Sequence, residues 1–198
     1  MNHLLRSLAL GLAMTAFIGP SRAATPAPSA PAYKVGDKLQ AKQAAKTPGA
    51  RQIEWDDLMP ADWDPMKGVQ TLQLAALGDG DPRASAALEK LKKAWDEAPV
   101  VPAMDKQHVV IAGFVVPLDA EGSTVHEMLL VPYFGACIHT PPPPANQIIH
   151  VVPQKPYKTD QPMEAVWISG TLETARAETG MGNAGYKMKA EVVVPYKR

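Results

Sequence analysis

His108-Val109-Val110-Ile111-Ala112-Gly113-Phe114-Val115-Val116-Pro117-Leu118 is the stretch on which the fold turns. Its β-branched and aromatic residues read as a strand. Glu121-Gly122 then marks a turn. Four more strands follow at Val125 to Tyr133, Gln147 to Val152, Ala165 to Leu172 and Gly185 to Val194. Gly113 and Gly170 fall mid-strand, where glycine marks a bulge or a sharp coil. Five short strands with such glycines predict a mainly β domain, a small five-stranded OB-like barrel. A β-sandwich is the alternative.

Upstream of the barrel the texture is helical, giving the domain an N-terminal helical extension. Asp81 and Pro82 form a helix start, and Ala84, Ala87, Leu88, Leu91, Ala94 and Trp95 recur at helical spacing. The spacing predicts a docking helix over 82–96, ended by Pro99. Before it, Trp55 and Trp63 bracket Leu58 and Met59 and anchor a compact segment. The acids between them, Asp56, Asp57 and Asp62, with Asp64 just beyond, lack the glycine and terminal glutamate of a calcium loop, so they read as solvated acids. Residues 51–100 are thus a Trp segment plus docking helix, and 108–196 the barrel, within one domain, 51–198. Residues 24–50, which open on a Pro- and Ala-rich tract, read as a flexible linker.

The N-terminus reads as a cleavable signal peptide, residues 1–23. Arg6 is followed by an apolar run from Leu8 to Ile18, then by small residues up to Ala23. The run falls short of the roughly 20 residues that span a bilayer. No cysteine follows it to carry a lipid. These features predict a soluble periplasmic protein with no membrane span in the mature chain. The whole sequence has 20 basic and 20 acidic side chains, a balance that excludes the basic surplus of a nucleic-acid binder. It has one cysteine, Cys137, so no disulfide framework holds it together.

That cysteine lies in Tyr133-Phe134-Gly135-Ala136-Cys137-Ile138-His139-Thr140-Pro141-Pro142-Pro143-Pro144-Ala145-Asn146-Gln147, between the second and third strands. The four prolines favour a stiff polyproline II rod. On an extended chain Cys137 and His139 would share one face, as ligands for zinc or another transition metal. His150 lies on the next strand, with His126 and Glu127 on the preceding one, and either strand could supply a further ligand. Three readings stay open. Cys137 and His139, with His150, hold a metal, with Asn146, Gln147, Glu127 and His126 as accompanying binding residues. Or the rigid loop is the docking surface of a non-catalytic interaction module. Or Cys137 is the nucleophile of a thiol-dependent enzyme. No phosphate loop, nucleophile elbow or His-Glu-x-x-His motif is present. The soft thioethers of Met163, Met181 and Met188 are a copper option, with ordinary core packing as the alternative.

Ile53-x-Trp55-x-x-Leu58-x-Pro60, Ile111 to Leu118 and, above all, Pro132 to Gln147 resemble a family of secreted bacterial proteins known as a domain of unknown function, DUF3299. The resemblance covers roughly residues 51–196. It implies that Cys137, His139, Asn146 and Gln147 belong to the family motif. Through the ABC-type export and metal-uptake systems that accompany relatives, it also implies a metal-linked accessory role beside an envelope transporter.

Overall fold

The computed structural model describes residues 33–40, 48–64 and 81–197. The predicted signal peptide, residues 1–23, and residues 24–32 and 41–47 of the predicted linker lie outside them. The chain forms β1 (Arg51–Gln52), α1 (Pro82–Asp96), β2 (His108–Glu121), β3 (Thr124–Val131), β4 (Ile149–Pro153), β5 (Tyr157–Lys158), β6 (Ala165–Glu173), β7 (Ala177–Thr179), β8 (Gly182–Ala184) and β9 (Tyr186–Pro195). Short 3-10 turns lie at Trp55–Leu58, Pro102–Met104 and Ala145–Gln147.

Five strands close a barrel in the order β2-β3-β4-β9-β6 and back to β2. All neighbours are antiparallel except β4 and β9, which run parallel. This is the connectivity of an OB-type barrel. Closure depends on β2, which pairs with β6 through residues 108–114 and with β3 through residues 114–121. Phe114 is the corner, opposite both Val131 and Ala165. One residue before it, Gly113 lets Leu130 and Trp55 approach: a Cβ there would lie 2.6 Å from Leu130 Cγ and 3.0 Å from Trp55 Cζ2. Gly170 marks a bulge. Ser169 faces Val192, but Gly170 faces Ala190, which leaves Glu191 as the extra residue.

Alternation along the strands gives two layers. Val109, Ile111, Val115, Met128, Leu130, Ile149, Val151, Ile168 and Met188 fill the interior, joined by Ile53, Leu58 and Met104 from the chain ahead of the barrel. Phe114, Val116, Leu129 and Val131 belong to a second cluster, packed with Ala136, Ile148 and Met163.

Several sequence expectations change. The second strand ends at Val131 rather than Tyr133, because Pro132 has no N–H to continue the ladder. Gln147 lies in a 3-10 turn rather than in the third strand. The strands β1 and β5 are two residues long, too short for periodicity to reveal. Part of the presumed linker lies on the barrel: Tyr33 packs edge-on against Phe114 at 5.0 Å and stacks with Phe134 at 5.9 Å.

The helix α1 starts as its sequence predicts, with the Asp81 carboxylate accepting from the Arg83 N–H at 2.8 Å. Only Ala87 is buried; Leu91 and Trp95 are half-buried, and Leu88 is 60% exposed. Its far end is held by Arg176, which donates to the carbonyls of Asp96 (2.6 Å), Glu97 (3.0 Å) and Ala98 (3.2 Å). Among the described residues, no helix is long and apolar enough to cross a membrane.

Candidate functional site

The segment Tyr133–Gln147 is not extended at its cysteine. Gly135 takes a positive φ of 90° and Cys137 one of 64°. The Gly135 carbonyl accepts from the backbone N–H groups of His139 (2.8 Å), Thr140 (3.1 Å) and Ile138 (3.3 Å), and from the Thr140 hydroxyl (3.2 Å). This knot of bonds makes a compact turn. The alternation that would put Cys137 and His139 on one face therefore does not apply. Cys137 is half-buried against the outer cluster, and His139 is exposed.

After the turn the four prolines descend from surface to interior: Pro141 is exposed, Pro142 half-buried, Pro143 and Pro144 buried. Pro144 has polyproline II dihedrals, φ −54° and ψ 149°. The next residues fasten the loop. Asn146, fully buried, donates through Nδ2 to the Pro99 carbonyl at 2.9 Å. Gln147 donates through Nε2 to the Trp55 carbonyl at 2.8 Å. The Ala145 carbonyl accepts from the Gly185 N–H at 2.6 Å. Asn146 and Gln147 thus bind this chain's own backbone. Each amide supplies a donor for a carbonyl that lies outside the strands.

The strand residues form a separate group. His150 Nε2 meets the Glu127 carboxylate, because His150 lies opposite Leu129 and Glu127 is two residues along the same face of β3. His150 Nδ1 is buried without a protein partner. His126 falls at a break in register, where Ala120 faces Val125 and Asp119 faces Glu127. Among the described residues, no three His, Cys, Asp or Glu side chains are placed to hold a metal ion together. Of the predicted site residues, the fold brings together Glu127 and His150 as a pair, and leaves Cys137 and His139 adjacent only along the chain. Met188 lies in the barrel interior, whereas Met163 and Met181 belong to the outer cluster. The Met163 sulfur accepts from the Gly135 N–H at 3.0 Å.

Burial pushes the Cys137 thiol up to about 11. The protein should therefore react slowly with iodoacetamide at neutral pH when folded and quickly when unfolded. The same shift links to stability. The unfolded thiol ionises first, so the unfolded state releases its proton before the folded state does. The contribution is fully present below about pH 9 and is lost as pH rises from about 9 to about 11. Cys137→Ser should remove that part of the alkaline slope in urea titrations. A fast native reaction at pH 7 would contradict the burial argument.

Sequence reasoning missed a groove beside this loop. Leu88, Leu91 and Trp95 of α1 face Pro141, Pro142 and Pro143 across a cavity of about 450 Å³. Its two sides are far apart in sequence. The only local signal was an apolar helix face with a tryptophan, together with the prolines.

The family model for a protein of unknown function, DUF3299, matches residues 55–195. The fold is similar to the crystal structure of a DUF3299 family protein from Pseudomonas aeruginosa PAO1, with a TM-score of 0.60 and 35% sequence identity over 75% of this chain and 97% of that one. No match was found among curated proteins. With most of the barrel, the proline loop and α1 inside the matched region, the chain belongs to the DUF3299 family.

Proposed function

We propose that this domain is a non-catalytic interaction module that seats an extended apolar segment of a partner protein between α1 and the proline loop. The observation that carries this is the groove itself. One wall is a proline run fixed at its end by the Asn146 and Gln147 amides; the other presents Leu88, 60% exposed. A rigid wall loses little entropy when it binds. Trp95, half-buried beside the exposed Leu88, is of the residue type that interface hot spots concentrate. The rim carries Glu89, Lys92 and Asp96, a mixed polar border of the kind that surrounds such anchors. Periplasmic residence, and a partner belonging to an envelope transporter, are parts of this proposal.

Metal binding at Cys137 and His139, zinc foremost, is the second reading. It rests on their two-residue spacing along the chain and on ligand types that suit zinc. It requires ionising a thiol that burial holds protonated, and this costs affinity.

Leu88→Asp is the test of the first reading. Affinity capture with the mature protein should retain a partner that the variant loses by at least about tenfold, while the melting temperatures agree within about 2 °C. Equal recovery by a folded variant overturns it. Stoichiometric zinc binding that disappears in Cys137→Ser would favour the second reading.

A further inference from the structure

A smaller cleft elsewhere on the barrel has a different chemistry. It encloses about 140 Å³ and is lined by Trp55 and Trp167, by the acids Glu54 and Asp56, and by Ala112 and Lys38. Its construction follows from β2. Ala112 pairs with Trp167 across the β2–β6 ladder, and its carbonyl accepts from the Trp55 indole N–H at 2.8 Å. Ala112 is thereby tied to both tryptophans. Both rings are fixed. Trp55 is held by that bond and by its approach to Gly113. Trp167, only 8% exposed, packs on Tyr196 with ring centroids 5.6 Å apart, and the Tyr196 hydroxyl donates to the Gln40 carbonyl at 2.7 Å.

The charges around these rings do not cancel. Glu54 and Asp56 flank Trp55 along the chain, whereas among the described residues Lys38 is the only cation in the lining, so the described lining carries one net negative charge at neutral pH. Indole rings attract cations through their quadrupole, most effectively those that shed water easily. A small metal ion keeps its hydration shell unless several oxygen ligands replace it, and the lining offers two carboxylates. An alkylated ammonium has a single charge spread over an apolar skin, which suits two indoles and one net negative charge. The volume is that of about five water-sized groups.

We infer that this cleft binds a small organic ammonium ion free in solution, of the size of tetramethylammonium or choline. Lys38 is its built-in competitor: an exposed ammonium on the rim opposes a second positive charge.

The test titrates the mature protein with choline chloride at constant ionic strength, followed by calorimetry and by the indole N–H resonances. The neutral carbon isostere 3,3-dimethylbutan-1-ol is titrated in parallel. Choline should bind saturably and shift the Trp55 and Trp167 resonances. The isostere should bind at least about tenfold more weakly, because the charge is what the rings and acids recognise. Asp56→Asn combined with Glu54→Gln should weaken choline by about tenfold, and Lys38→Ala should tighten it severalfold. The two variants move affinity in opposite directions, so a general loss of fold cannot imitate the pair. No saturable choline binding, equal binding of the isostere, or affinities unchanged in both variants would overturn the inference.

Discussion

Gly170→Val should severely destabilise the barrel. A Cβ at position 170 would lie 2.1 Å from the Lys189 carbonyl oxygen and 2.9 Å from Ala190 Cα. These are backbone atoms of the neighbouring strand, so no rotamer change relieves the clash. The approach is close because β9 bulges there, facing Ser169 with Val192 and Gly170 with Ala190. Relief would separate β6 from β9 at the point where the barrel coils. A loss of at least about 4 kcal/mol is expected, against total stabilities of about 5–15 kcal/mol for domains of this kind. Urea denaturation followed by circular dichroism measures it. Gly180→Ala is the matched control: a Cβ there meets nothing within 4 Å, so a change within about 0.5 kcal/mol is expected. A Gly170→Val protein as stable as the control would show that the bulge is not needed for closure.

The second large effect is expected at Tyr186, which is fully buried at the start of β9. Its hydroxyl accepts from the Val101 N–H at 2.7 Å and donates to the Leu58 carbonyl at 2.8 Å. One side chain thus ties the barrel to two segments that precede it. Tyr186→Phe keeps the ring and removes both bonds, leaving a backbone donor and acceptor without their partner. About 2 kcal/mol should be lost. Tyr186→Ala also opens a cavity and should cost about 3–5 kcal/mol. Burial raises the Tyr186 phenol above its ordinary value of 10.0, so its contribution is present below that pH and is lost as pH rises further. The Phe variant should therefore lose less stability than the parent above pH 10. If Tyr186→Phe unfolds at the parent's urea midpoint, the two bonds are not holding the N-terminal segments.

The barrel was legible because its information is local. Val109, Ile111, Val115, Phe114 and Val116 alternate between two clusters along one strand, and that alternation is written in the sequence. Asp81-Pro82 announced the helix start by the same kind of short-range chemistry. The short strands β5, β7 and β8 were not legible. Two or three residues carry no period, and their pairing is decided by what lies across from them. The α1–proline groove was hidden for a related reason: Leu88 and Pro142 become neighbours only when both elements meet on the folded surface.

The site shows the limit most clearly. The sequence determined that a lone cysteine, a histidine and four prolines lie between the second and third barrel strands, and that two amides follow them. It also pointed to a five-stranded OB-like barrel, with a sandwich as the alternative; the order in which the strands close came from their pairing. Tertiary structure decided what these groups face. Left-handed backbone at Gly135 and Cys137 curls the chain into a turn, and this removes the extended geometry on which a shared face depended. Packing against the outer cluster keeps the thiol protonated, while His139 stays in solvent. The carbonyls of Pro99 and Trp55, which precede the barrel, claim Asn146 and Gln147. Alternation and propensity act over a few residues and survive in the sequence. Turn dihedrals, burial and the choice of hydrogen-bond partner depend on groups brought together from distant parts of the chain, and only the folded barrel assembles them.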